Sequence, residues 1–236
     1  LQPARKKFFS RRISCESARR TGSVIDFFSI NIYNKNVWIF AGLTGIRRRG
    51  IMKYKMNIAG LERELPLCKV ADNFYIGAFI MFGDAEITVA CARELLARAP
   101  KDYDYLLTAE AKSIPLIHEM ARQSGAKTYF VARKGMKVYL TDPIHVTVHS
   151  ITTQHEQDLY LGGEDAAFIR GKKILIVDDV ISTGESLKAM EELVHKAGGT
   201  VAGRMAVLAE GDAQKRDDIV YLNPLPVFNA DGTVKE

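Results

Sequence analysis

Two adjacent carboxylates, Asp178 and Asp179, close the apolar run Ile174-Leu175-Ile176-Val177, and Ser182, Thr183, Gly184, Glu185 and Ser186 follow shortly after. Hydroxyl groups, a glycine and the free backbone N–H groups of a helix N-terminus make a cradle for a phosphate. Gly184 lets the backbone come close to such a ligand. The two acids are too near the cradle to serve the phosphate itself. They suit sugar hydroxyls, or Mg²⁺ held largely through water.

Three upstream segments carry further chemistry. Thr108-Ala109-Glu110-Ala111-Lys112-Ser113 lies between an apolar run and a helical pattern, where an ordinary helix cap is the plain reading. Ala132-Arg133-Lys134-Gly135-Met136-Lys137 puts three cations within five residues, which alone reads as solvated surface. His149-Ser150-Ile151-Thr152-Thr153-Gln154 sits in a long polar stretch. His145, His149 and His155 near it lack the spacing to a further ligand that a metal centre needs, so a solvated loop is the reading there.

The elements that must position these residues alternate. The periodicity predicts helices over 86–99, 114–124 and 186–197, and strands over 103–108, 127–132, 173–177 and 200–208. Pro115 stands in a tolerated first turn, and Gly125 and Gly198-Gly199 end helices. Strands alternating with helices of about a dozen residues indicate βαβ units and a parallel sheet. In such sheets ligands bind beyond the carboxyl ends of the strands. Two stretches break the rhythm: 135–171, polar with weak strand candidates near His145 to Ser150, and the tail 210–236, which reads as irregular around Asn223-Pro224-Leu225-Pro226. A long insertion in a compact domain is usually functional, often a lid.

Composition narrows the class. The 236 residues are 47% hydrophobic and 26% charged, and no apolar run reaches the roughly 20 residues of a membrane span. Cys15, Cys68 and Cys91 give neither a disulfide framework nor metal spacing, so a reducing cytoplasm is the default. The net charge of +5 is uneven: residues 1–51 hold 11 Lys/Arg against two acids, a net of +9, while 52–236 hold 22 against 26, a net of −4. Residues 1–51 begin with Leu and show no sustained period. Arg48-Arg49 read as AGG-AGG would form a ribosome-binding sequence just ahead of Met52. The expectation is therefore a basic extension over 1–51, disordered or translated upstream sequence, with the native protein starting at Met52. A genuine basic arm is the alternative.

The segment Ile174 to Ser186 closely resembles the phosphoribosyl-pyrophosphate signature of type I phosphoribosyltransferases. The upstream segments occur in the same family's order. Glu110-Ala111-Lys112-Ser113 is similar to the pyrophosphate loop, nearest to the adenine and xanthine enzymes, with Lys112-Ser113 in place of Arg-Gly or Ser-Gly. Arg133-Lys134-x-x-Lys137 matches a pyrophosphate-binding pattern that in several relatives reaches the neighbouring subunit. His149 to Gln154 resembles the mobile loop of xanthine enzymes, with Thr152 where adenine enzymes carry Glu.

The resemblance implies an α/β type I phosphoribosyltransferase-like fold: a mostly parallel sheet flanked by helices over 52–236, a mobile lid at about 135–171, and a small hood from about 60–84 and 210–236. It implies purine salvage, moving 5-phosphoribosyl from phosphoribosyl pyrophosphate to a purine (adenine first, xanthine next). The alternative is a regulator of the same fold that senses phosphoribosyl pyrophosphate. Asp178, Asp179 and Lys112 would be catalytic, the two acids holding Mg²⁺ through water or ribose hydroxyls. Ser182 to Ser186 would hold the 5′-phosphate; Ala111, Lys112, Ser113, Arg133, Lys134 and Lys137 the pyrophosphate; Ser150, Thr152 and Thr153 the lid. A cis peptide is expected at Ala111–Lys112. The expected assembly is a homodimer with Arg133 and Lys137 reaching across, without membrane or nucleic-acid partners. Asn73 to Asp84 and Leu225 to Phe228 are the candidates for contacting the base.

Overall fold

The computed structural model describes residues 26–32, 35–41, 51–149 and 156–235. The chain divides into two units, Leu1–Gly50 and Ile51–Glu236. In the first, β1 (Asp26–Ile32) and β2 (Lys35–Ala41) pair antiparallel. Both are rich in aromatic and β-branched residues, which favour extended backbone.

The second unit opens with a meander: β3 (Lys53–Ile58), β4 (Leu61–Ala71) and β5 (Phe74–Gly77). Helix α1 (Ala85–Arg98) follows, with Asp84 Oδ1 accepting the Ile87 N–H at 3.1 Å. Then come β6 (Tyr105–Ala109), α2 (Ile114–Ser124), β7 (Phe130–Ala132), β8 (Ile144–His149), β9 (Glu156–Leu161), α3 (Gly163–Ile169), β10 (Lys173–Ile181), α4 (Glu185–Lys196), β11 (Thr200–Glu210), a 3₁₀ turn (Gly211–Lys215), β12 (Val220–Leu225) and β13 (Val227–Phe228).

Five strands form the main sheet in the order β12-β11-β10-β6-β7, all parallel. The apolar run of β10 explains its central place. Ile174 and Ile176 point into a core with Ile169 of α3 and Leu187, Met190 and Leu193 of α4. Leu175 and Val177 point into a second core with Ile87 and Leu95 of α1 and Leu116 and Met120 of α2. A strand buried on both faces has no polar alternation to show.

The structure changes three boundaries. β10 runs to Ile181, because β11 extends to Glu210 and offers ladder partners to Asp178, Val180 and Ile181. Asp178 and Asp179 therefore lie within the strand, not beyond its end. The stretch 135–171 is more regular than expected. β8 and β9 form an antiparallel hairpin whose Val146, Leu159 and Leu161 are buried, and α3 belongs to the core through Ile169. The tail is not irregular either: β12 completes the main sheet, and Pro224 is tolerated because that strand is an edge.

A smaller sheet has the order β13-β5-β4-β3. It joins Val227 to Ile76 and Phe228 to Tyr75, so both ends of the unit build it. Arg63 of β4 ties it to α1, with Nε 2.7 Å from Asp84 Oδ2 and Nη2 2.8 Å from Glu86 Oε2.

Candidate active site

The last part of β10 and the first turn of α4 border an open cleft of about 50 Å³, lined by Asp178, Val180, Ile181 and Ser182 to Leu187. Gly184 is the residue before α4 and sits at φ +82°, a left-handed backbone that side chains resist. A Cβ there would also fall 2.6 Å from Arg216 Nη1. No side chain caps α4. The Glu185 N–H points to Thr183 Oγ1 at 3.5 Å, and the positive end of the helix dipole at this turn favours an anion.

The two acids are tied to the β6–α2 loop. Ser113 is buried, and its Oγ lies 2.6 Å from Asp178 Oδ1 and 3.2 Å from Asp179 Oδ1 while accepting the Asp179 N–H at 2.8 Å. A hydroxyl has one hydrogen, so the shorter contact marks Asp178 as its acceptor. Lys112 Nζ is 2.6 Å from Asp179 Oδ2. Asp179 is thus turned inward, whereas Asp178 lines the cavity. Burial, and then the charge of Asp179, raise the Asp178 carboxyl above the usual carboxylate range.

The cis peptide is Glu110–Ala111, one residue earlier than expected. The chain leaves the ladder at this point: the Glu110 N–H still donates to Ala132 O at 2.8 Å, and Ala111 begins the turn into α2. The Glu110 carboxylate collects the downstream cations. Arg133 Nη1 is 3.5 Å away, Lys137 Nζ 3.7 Å, and the Lys134 backbone N–H donates at 3.1 Å. Arg133, Lys134 and Lys137 are thereby brought beside the loop that carries Ala111 and Lys112. Ser150, Thr152 and Thr153 lie outside the described residues.

One of the two expectations about the base fails on burial. Leu225 and Phe228 are fully buried, with Phe228 packed 4.8 Å from the Tyr54 ring. Neither can stack on a ligand. In the stretch 73–84, Phe79 and Met81 are core, while Ile80 and Phe82 are more than half exposed. Sequence reasoning also missed Glu210, the last residue of β11. Burial pushes its carboxyl up to about 7, with Lys112 pulling the other way. A lone Glu at a strand end carries no sequence signal.

The phosphoribosyl transferase domain model matches residues 86–234. The chain is 29% identical over 163 residues to a hypoxanthine/guanine phosphoribosyltransferase of Methanocella paludicola, covering 67% of this chain and 81% of that one. It is 32% identical over 162 residues to the enzyme of that name from Methanothermococcus okinawensis, covering 66% and 84%. Among solved structures, the adenine phosphoribosyltransferase of Thermoanaerobacter pseudethanolicus superposes with a TM-score of 0.51 at 23% identity, over 60% of this chain and 82% of that one. The Saccharomyces cerevisiae adenine phosphoribosyltransferase does so at 0.51 and 19%, over 72% and 93%. The structural likeness bears on the fold.

Proposed function

The chain belongs to the phosphoribosyl transferase domain family, and from that premise we propose that it transfers 5-phosphoribosyl from phosphoribosyl pyrophosphate to a purine base. The observation that carries this is the meeting of two motif segments at one sheet edge. The acids of β10 and the β6–α2 loop are joined through Ser113 and Lys112, next to the N-terminus of α4. That arrangement fits a ligand with phosphate at one end, vicinal hydroxyls in the middle and pyrophosphate at the other.

In the reaction a ring nitrogen of the base bonds to C1 of the ribose as the C1–O bond to pyrophosphate breaks, and the base gives up its N–H proton. Negative charge grows on the leaving group, so fixed cations are the catalytic asset. Lys112, backed by Arg133 and Lys137, supplies them. Lys134 contributes through its place in the same turn, and the backbone of Ala111 and Ser113 shapes the loop. Ser182 to Ser186 hold the 5′-phosphate, and Asp178 and Asp179 hold the ribose.

The donor set suits Mg²⁺. Among the described residues no group of three or more His, Cys, Asp or Glu gathers. One or two carboxylates, with the remaining oxygens from substrate and water, are what this ion usually accepts. When bound, it would neutralise charge on the pyrophosphate.

The base is the finer part of the proposal. The Glu110-Ala111 form of the loop supports adenine first and xanthine next, and the curated relatives bring in hypoxanthine and guanine. A homodimer and a cytoplasmic location belong to the same reading. Met136, Val138 and Tyr139, exposed beside Arg133 and Lys137, support the dimer. The test is a panel of adenine, hypoxanthine, guanine, xanthine and orotate with phosphoribosyl pyrophosphate and Mg²⁺, followed by pyrophosphate release. Release with a purine is expected. Silence on every base would contradict the proposal.

A further inference from the structure

We propose that Glu210 is the side chain that hydrogen-bonds the acceptor base, taking an N–H of the purine on its carboxyl group. This rests on the transferase reading above and names a residue for the half of the site that the motifs leave blank.

β10 supplies the acids and the phosphate cradle, and β6 supplies the pyrophosphate loop. β11 lies beside β10 in the same parallel sheet, with Ile181 paired to Ala209, so Glu210 emerges at the same carboxyl edge as the donor residues. Its carboxyl is near enough to Lys112 for the two charges to interact. On its other side is the smaller sheet. A Cβ on the adjoining Gly211 would lie 3.6 Å from Val227 Cγ1 of β13. Glu210 therefore stands between the donor cluster and the smaller sheet. A base bonding to C1 of a ribose held by Asp178 and Asp179 must enter from the space around this junction.

The local hydrogen bonding leaves the carboxyl uncommitted. Neighbouring Asp212 is taken by Lys215 at 2.7 Å, and the Arg216 guanidinium is taken by Asp218 at 2.8 and 2.6 Å. Lys112, the cation that faces Glu210, is itself paired with Asp179. Among the described residues the Glu210 carboxyl is held by no hydrogen bond, only by the charge of Lys112. A partly buried carboxyl group without a partner costs stability that a bound N–H would recover. Purines offer such a donor: the amino group of adenine or guanine, or the ring N–H of hypoxanthine.

The experiment compares KM for the base with KM for phosphoribosyl pyrophosphate in wild type, Glu210→Ala and Glu210→Gln, using the purine that wild type turns over best. Glu210→Ala is expected to raise the base KM by about tenfold or more while the donor KM stays within about twofold. Glu210→Gln, whose carbonyl still accepts an N–H, is expected to recover most of that loss. An unchanged base KM in Glu210→Ala overturns the assignment. So does a donor KM that rises in step, or a glutamine variant no better than alanine. If the alanine variant melts early, Glu210→Met, of similar length and without a hydrogen-bonding head, gives the same reading. Wild-type silence on every purine would instead sink the transferase proposal itself, an outcome distinct from the others.

Discussion

The donor half and the hood half of this molecule are built by opposite means. At the carboxyl edge of the main sheet, each contributor is a short contiguous segment that runs strand, loop, helix. β6 passes through Glu110 to Ser113 into α2, and β10 passes through Ser182 to Gly184 into α4. The smaller sheet is closed by two residues of β13 that pair with β5 across some 150 positions of sequence. One half is local and rich in polar chemistry; the other is non-local and held by packing. The donor half should therefore lose function without losing stability, and the hood half the reverse.

The sharpest way to break that contrast is Asp178→Asn with Asp179→Asn. Turnover should fall by about a thousandfold or more, with thermal unfolding close to wild type. Unfolding of this variant would make the acids structural. Phe228→Ala addresses the hood. Removing a fully buried ring that packs on Tyr54 should cost about 3–5 kcal/mol in denaturant unfolding. A loss under about 1 kcal/mol would mean that β13 is dispensable.

Gly184→Ala sharpens the donor side. The left-handed backbone opposes a Cβ, and the Arg216 guanidinium 2.6 Å from it would have to move aside. Donor affinity should weaken by about tenfold, with base affinity little changed, as read by titration of each ligand. The smallest expected effect is Arg63→Ala, which cuts the tie between β4 and α1. Arg63 holds the Asp84 carboxyl below its usual range. A carboxyl depressed in the folded state stabilises the fold above its unfolded pKa of about 4, and that contribution fades as pH falls further. The pair is partly solvent-exposed, so the variant should lose ~0.5–1 kcal/mol at pH 7, and the gap should close towards pH 3. A gap that widens in acid would refute the linkage.

The same contrast governs what the sequence reveals. Four of the five parallel strands, with α1, α2 and α4, were legible because βαβ periodicity is local, and α2 falls on the residues its pattern predicts. Asp178, Asp179 and the Ser182 to Ser186 loop were legible for the same reason. The β8–β9 hairpin and β12 were not, because a short amphipathic hairpin and a proline-bearing edge strand show their pairing only once the sheet exists. Phe228 looked like a ligand-stacking aromatic since nothing local distinguishes such a ring from a core ring. Glu210 was silent because its meaning comes from Lys112, about a hundred residues earlier in the chain.

The most direct test of the central claim is calorimetric titration of phosphoribosyl pyrophosphate into the protein with Mg²⁺, for wild type and for the Asp178→Asn, Asp179→Asn variant. The account predicts one saturable site per chain in wild type and loss of that binding in the folded variant. Equal binding by both, or none by wild type, would contradict it.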